Sequence, residues 1–314
     1  MENLGTTIFT LLLIIVISSL AKYFRLMPEN SAPVMTRLLT NVTLPALIFV
    51  SVAGGPGLAT FEEGLVVGGQ AIMYFSVAMP LAWFFMKKAP PSDVTRSVAA
   101  FGVIFPNTSF VGLPMVYLIY GREVVFLAAV FDMVQSLIMF SFGIMLIQGG
   151  ISSKLESEPG QLSRVRSLSR VFLEPVVLAL AGGVLVQLTG ISLPGLVMEP
   201  FRMLGETTTV LAMFAIGQYL DLSYLRSPSY LLKLLPVSGL KLLVLPGVFL
   251  FLSKLFHLPP LASAVTTIML ASPAAVLTSV FAERYDRDDQ FAVLLVVVTT
   301  GLCVVTLPFL LSFL

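Results

Sequence analysis

The stretch at residues 101–114 reads "FGVIFPNTSFVGLP". It lies within an apolar run, 94–120, long enough to cross a bilayer. Yet it carries Pro106 and Pro114, with Asn107, Thr108 and Ser109 directly after the first proline. A proline in a helix interior removes a donor, clashes with the preceding turn and costs about 3 kcal/mol. At mid-membrane no water satisfies the freed backbone groups. A break here calls for a partner elsewhere in the chain.

The surrounding sequence is that of an integral membrane protein. Of 314 residues, 57% are hydrophobic and 11% charged, with a mean hydropathy of +0.98; a soluble domain carries about 25% charged residues. The net charge of +1 says nothing about nucleic acid or acidic partners, but the sequence has no basic patch with interleaved aromatics, and no nucleic-acid partner is expected. Cys303 is the only cysteine, so no intrachain disulfide forms, and the lone His257 has no cysteine nearby to make a metal site. The chain has no GxxxxGK[ST] phosphate loop, no HExxH and no DxxxD pair within a span, so neither an enzyme nor a cofactor is expected.

Apolar segments of bilayer length fall at about 5–24, 33–53, 64–86, 94–120, 122–148, 171–189, 201–220, 231–255, 260–282 and 288–313. The first carries Glu2 before its core and Lys22 and Arg25 after it, the pattern of a retained span rather than a cleaved signal. Lys22, Arg25, Arg37, Lys87, Lys88, Arg96, Lys154, Arg164, Arg166, Arg170, Arg226, Lys233, Arg284 and Arg287 fall at one set of span ends. Arg122, Arg202 and Lys254 stand at the other. By the positive-inside rule both termini lie outside and the polar 149–170 loop is cytoplasmic.

A shift of about 166 places brings Pro28 onto Pro194, Pro80 onto Pro246, Pro106 onto Pro273, and "YGREVVF" (120–126) onto "YDRDDQF" (285–291). The chain thus reads as two five-helix repeats, 1–148 and 171–314, joined by the 149–170 linker. Five spans are an odd number, so the second copy crosses in the opposite sense. Inverted repeats with broken helices are typical of secondary transporters, whose sites lie near the midplane. Pro106 is about 18 Å from the inner end of its span at 1.5 Å per residue, close to mid-bilayer. Two half-helix N-termini meeting at Pro106 and Pro273 would hold a carboxylate without a buried arginine, with Asn107, Thr108 and Ser109 adding hydrogen bonds. A proline kink capped by Thr and Ser is the plainer alternative.

Other intramembrane polar residues join this centre. Asp132 lies at similar depth in span 5, with Gln135 and Ser136 on the same face at i+3 and i+4. A carboxylate there must be paired, hydrated or protonated, which makes this group a coupling site or a clamp on the broken backbone. Lys241 is the only basic residue deep in a span, and pairing with Asp132 is the expectation. Glu174 reads as a dipole partner at the start of span 6, Trp83 as an interfacial anchor, and Asp288 and Asp289 as caps of span 10.

The segments "FPNTSFVGLP", "TTTVLAMFAIGQYL" (207–220), "SPAAVLTSVFAERYD" (272–286) and "TLP" (306–308) resemble the auxin efflux carrier family, which includes plant PIN-FORMED carriers and compact bacterial permeases. The likeness spans essentially the whole chain. It implies an all-α polytopic membrane protein: ten transmembrane helices in two inverted repeats, with broken helices 4 and 9 crossing at their prolines. Spans 1, 2, 6 and 7 would form a scaffold, and spans 3–5 and 8–10 a domain that moves as an elevator. The implied function is secondary transport of small organic anions, carboxylates or auxin-like acids, at the plasma membrane. Taken with the residues read above, the candidate substrate-binding set is Asn41, which the resemblance puts on the scaffold side, with Pro106, Asn107, Thr108, Ser109, Ser272, Pro273 and Ala274; Asp132, Gln135, Ser136 and Lys241 are the candidate coupling group. Beside Pro273 this chain departs from the pattern, carrying Ser272 and Ala274 with no asparagine or acidic residue. A cation/proton antiporter on the same architecture and a non-transporting membrane sensor stand as alternatives. Proton coupling and assembly as a homodimer are left open.

Overall fold

The structure is a computed structural model that describes residues 2–28, 31–54, 59–86, 92–148, 173, 175–191, 193–219 and 228–313. Lys87, Lys88, the 149–170 stretch, Glu174 and Arg226 lie outside the described residues. The described chain is all-helical, with no β-strand. In chain order its helices are α1 (Glu2–Tyr23), α2 (Ser31–Ala53), α3 (Ala59–Met86), the half-helices α4a (Asp93–Ile104) and α4b (Thr108–Tyr120), and α5 (Arg122–Ile147). There follow α6 (Pro175–Thr189), α7 (Gly195–Tyr219), α8 (Pro228–Gly239, Leu240–Val244 and Leu245–Leu255 in succession), the half-helices α9a (Pro260–Ala271) and α9b (Leu277–Arg284), and α10 (Asp289–Leu311).

Among the described residues, five helical stretches are long and apolar enough to cross a membrane: Ser31–Ala53, Glu62–Phe84, Arg122–Ile147, Leu234–Leu255 and Asp289–Leu311. Shorter apolar helices include Val94–Ile104, Thr108–Tyr120 and Pro260–Ala271, the pieces of the two interrupted segments. The 94–120 and 260–282 runs thus break where their prolines stand. At both breaks the residue before the proline has left the helical region, the conformation a following proline favours: Phe105 (φ −101°, ψ 107°) and Ser272 (φ −62°, ψ 151°) are extended.

Other prolines are absorbed rather than breaking their helices; Pro80, Pro200, Pro236 and Pro308 stand inside α3, α7, α8 and α10. Pro45, Pro114 and Pro246 each follow a π-helical turn, at Leu39–Thr43, Thr108–Gly112 and Leu240–Val244. Widening the helix just ahead of the proline relieves its clash and frees a carbonyl, a device common near functional sites. Helix caps follow the sequence. Asp288 Oδ1 accepts from Phe291 N (3.0 Å) at the start of α10, and Asp288 Oδ2 takes the Thr95 hydroxyl (2.6 Å) across the gap to α4a.

The helices pack in two sets. In one, α1 lies along α7, α7 along α2, and α2 along α6. In the other, α3 packs on α4a, α5 and α9a, and α10 on α4a, α8, α9a and α9b. The sets meet where α2 and α6 touch α5, α7 touches α4b, and α1 touches α10. Phe75, Phe101, Phe105 and Phe131 form an aromatic cluster behind the broken segments, with Phe101 and Phe105 centroids 4.7 Å apart. Close passage of α4b over α9a depends on Gly112, where a Cβ would stand 2.7 Å from Met269 Sδ.

Candidate functional site: the crossing of two broken helices

The two breaks are each other's partner. Asn107 N–H donates to Pro273 O (2.7 Å) and Ala275 N–H donates to Phe105 O (3.0 Å), so Pro106 and Ala274 form an antiparallel bridge. The other freed groups are met by side chains of neighbouring helices. Tyr74 Oη donates to Ile104 O (3.1 Å), Gln135 Nε2 to Pro106 O (2.9 Å), and Lys241 Nζ to Leu270 O (2.9 Å). Cys303 Sγ donates to Ala271 O (3.4 Å), and Thr299 Oγ1 accepts from Ala274 N–H (3.0 Å). Each bond answers a backbone group that would otherwise be bare in a buried setting, a state that costs about 1–3 kcal/mol.

Beyond the bridge, α4b begins. Its backbone ladder closes from Val111 and Gly112 to Asn107 O (3.1 and 3.2 Å). The N–H groups of Thr108, Ser109 and Phe110 precede that ladder, and an N-terminus of this kind carries about half a positive charge. Asp132, buried on α5, stands against it. Thr108 Oγ1 donates to Asp132 Oδ1, Ser109 Oγ donates to Asp132 Oδ1 (2.9 Å) and lies 3.1 Å from Oδ2, and Gln135 Nε2 donates to Thr108 Oγ1 (2.7 Å). The Asn107 residue is only 4% exposed. Among the described residues its side chain makes no hydrogen bond, although it faces a cavity.

That cavity, of about 330 Å³, connects the crossing to the other helix set. Asn107, Thr108, Ser109, Asp132, Gln135 and Ser136 line one wall with Pro106, and Thr36, Thr40 and Asn41 of α2 face them. Asn41 is exposed there, its Nδ2 donating to Arg37 O (2.9 Å). Apolar surface comes from Phe110, Met139, Phe140, Val176 and Leu277. No described lining residue is basic, and Asp132 is the only acidic one. Among the described residues no cluster of three His, Cys, Asp or Glu side chains is close enough to hold a metal.

The sequence-derived residues divide accordingly. Asn41, Pro106, Asn107, Thr108, Ser109, Asp132, Gln135 and Ser136 are brought together around one cavity. Ser272, Pro273 and Ala274 are not on its wall. Ser272 Oγ turns back to Ile268 O (3.1 Å), Pro273 contributes its carbonyl to the bridge, and Ala274 its N–H to Thr299. From α9b's side the cavity meets Ala275, Val276 and Leu277 instead, because the bridge turns the preceding residues inward. The expected Lys241–Asp132 pair does not form. Fully buried Lys241 spends its ammonium on Leu270 O, at the C-terminal end of α9a, where helix carbonyls favour a cation.

Sequence reasoning passed over Thr36, Thr40, Met139 and Phe140. Periodicity carries the signal for them: Asp132, Gln135, Ser136, Met139 and Phe140 continue one helical face at i, i+3, i+4, i+7 and i+8, and Thr36 lies one turn before Thr40, the residue next to Asn41. Glu206 lies apart from this centre. On α7 it pairs with Arg122 of α5 (3.3 Å) and Arg202 (3.5 Å), and Arg202 also pairs with Glu199, an exposed network joining the two helix sets.

Apolar helices of membrane-spanning length, two helices broken and crossed within them, and a partly polar cavity at the crossing define a multi-pass membrane transport protein. The family model described as membrane transport protein matches residues 4–311. The chain belongs to that family, the auxin efflux carrier-like one its motifs resemble. It is also 23% identical over 304 residues to an uncharacterized transporter of Methanothermobacter thermautotrophicus, covering 96% of this chain and 95% of the relative.

Proposed function

We propose that the protein is a secondary transporter of small organic anions and that the carboxylate of its substrate binds at the start of α4b. The observation that carries this reading is the Asn107 amide: buried, unpartnered among the described residues, and facing a cavity beside a helix N-terminus. An amide with both donors unused beside oriented N–H groups suits an oxyanion. A volume of about 330 Å³ suits a small acid. Phe110, Met139, Phe140, Val176 and Leu277 supply apolar surface for its body.

In this reading the chain comprises ten spans in two inverted repeats, 1–148 and 171–314, with a cytoplasmic 149–170 linker and both termini outside, in the plasma membrane. The set α1, α2, α6 and α7 is the scaffold, and the crossed set slides against it as an elevator. The cavity reaches Pro175 and Val176 in the first turn of α6, at the end this reading places on the cytoplasmic side. Transport into proteoliposomes tests the function: carboxylate uptake down an imposed gradient supports it. Sodium flux that follows pH without any organic substrate supports an antiporter instead. Tight binding without flux supports a sensor.

A further inference from the structure

The start of α4b already holds an anion of the protein's own. Asp132 accepts the hydroxyls of Thr108 and Ser109, the first two residues of that half-helix. In this arrangement both hydroxyl protons are committed to the carboxylate, and the Gln135 Nε2 that reaches Thr108 is shared with Pro106 O. Among the lining side chains, Asn107, Ser136 and the second N–H of Asn41 then remain as donors, beside the N–H groups that open α4b. No described charged side chain faces Asp132 from α2, α3, α4b, α6, α9a or α9b; its partners are the two hydroxyls. A second carboxylate entering the cavity would lie against that negative charge, with no basic residue among the described lining to share it.

We propose that Asp132 is a built-in competitor for the substrate-binding terminus, so that a carboxylate substrate and one proton on Asp132 occupy the site together. This rests on the anion-site reading above and adds the rule by which the site loads. Protonation turns Asp132 from an acceptor of two hydroxyl bonds into a donor and frees Thr108 and Ser109 to turn toward the substrate. The half-positive terminus then faces one negative charge, that of the substrate. The proton enters from the solution that delivers the substrate and leaves with it on the other side. One anion and one proton cross per cycle, with no net charge moved. A dicarboxylate carries a second charge that nothing in the described lining neutralises, so the site selects monoanions.

Calorimetric titration of the purified full chain with benzoate tests this, at about pH 5.5, 7 and 8.5, where benzoate stays ionised. Expected for the wild type is an affinity that falls up to about tenfold per pH unit on the alkaline side of the Asp132 titration. Benzoate binding should take up about one proton on that same side, read from parallel titrations in buffers of different ionisation heat. Asp132→Asn, neutral at every pH, should bind benzoate with a flat profile, matching the wild type at its acidic end, and succinate should bind either protein at least tenfold more weakly. Binding by Asp132→Asn that keeps the wild-type slope, or no proton uptake at any of these pH values, overturns the proposal. The proton measurement needs only the wild-type chain and so decides the matter even if the variant does not fold. Failure of the underlying reading looks different: benzoate, acetate and succinate all fail to bind, or Asn107→Ala binds benzoate as the wild type does.

Discussion

Replacing Gln135 by methionine keeps the length and most of the volume of the side chain but removes the amide that holds the break in α4. Gln135 Nε2 reaches Pro106 O at 2.9 Å and Thr108 Oγ1 at 2.7 Å, both bonds buried. Each contributes about 1 kcal/mol net, and a buried carbonyl left bare adds a penalty of about 1–3 kcal/mol. One saving partly offsets the loss: Gln135 Oε1 is itself buried without a partner among the described residues, and methionine removes it. The sum is a destabilisation of about 2–3 kcal/mol. For a cooperative unit of about 150–250 residues, 1 kcal/mol shifts the midpoint by about 2–4 °C, so unfolding in detergent should occur about 4–12 °C lower. Gln135→Glu should do at least as badly, because a carboxylate would face Pro106 O with no proton to give. Thermal unfolding by intrinsic fluorescence is the assay. A Gln135→Met protein that melts within 1 °C of the wild type and binds carboxylates unchanged would refute the view that this amide holds the crossing.

Lys241→Met should leave Leu270 O bare at the end of α9a and lower stability by about 1–3 kcal/mol, and Lys241→Gln, which keeps a donor, should recover part of it; equal melting of the two would show that the Leu270 bond is immaterial. At Gly217 a Cβ would stand 2.5 Å from Ile15 O and 2.5 Å from Ser18 Cβ, so Gly217→Ala must push α1 from α7 at a cost of about 1–3 kcal/mol. Gly247, within α8 and with nothing near its Cβ position, should tolerate alanine or gain up to about 1 kcal/mol; denaturation of the two alanine variants side by side checks the contrast.

Much of the centre was legible because membrane helices leave few places for polar residues. Pro106 and Pro273 marked the breaks because the repeat brings the two into register near mid-bilayer. Asp132, Gln135 and Ser136 could be placed on one face by spacing alone. The register of the bridge could not be read. It pairs Asn107 with Pro273 and Phe105 with Ala275, and a backbone pairing of this kind leaves no mark in the side chains. The Lys241 partner was equally hidden, because Leu270 O is a backbone group and carries no sequence signal. Nor do side-chain patterns report the π turns ahead of Pro45, Pro114 and Pro246.

The claim that a carboxylate binds at the crossing is tested most directly by Asn107→Ala in the liposome uptake assay. Asn107 holds the fold through its backbone, whose N–H meets Pro273 O, while its side chain is spare. Alanine should therefore preserve the melting temperature to within about 2 °C, because no hydrogen bond is lost, and should reduce carboxylate uptake at least tenfold. A folded Asn107→Ala protein that takes up the carboxylate at the wild-type rate and affinity would contradict the account.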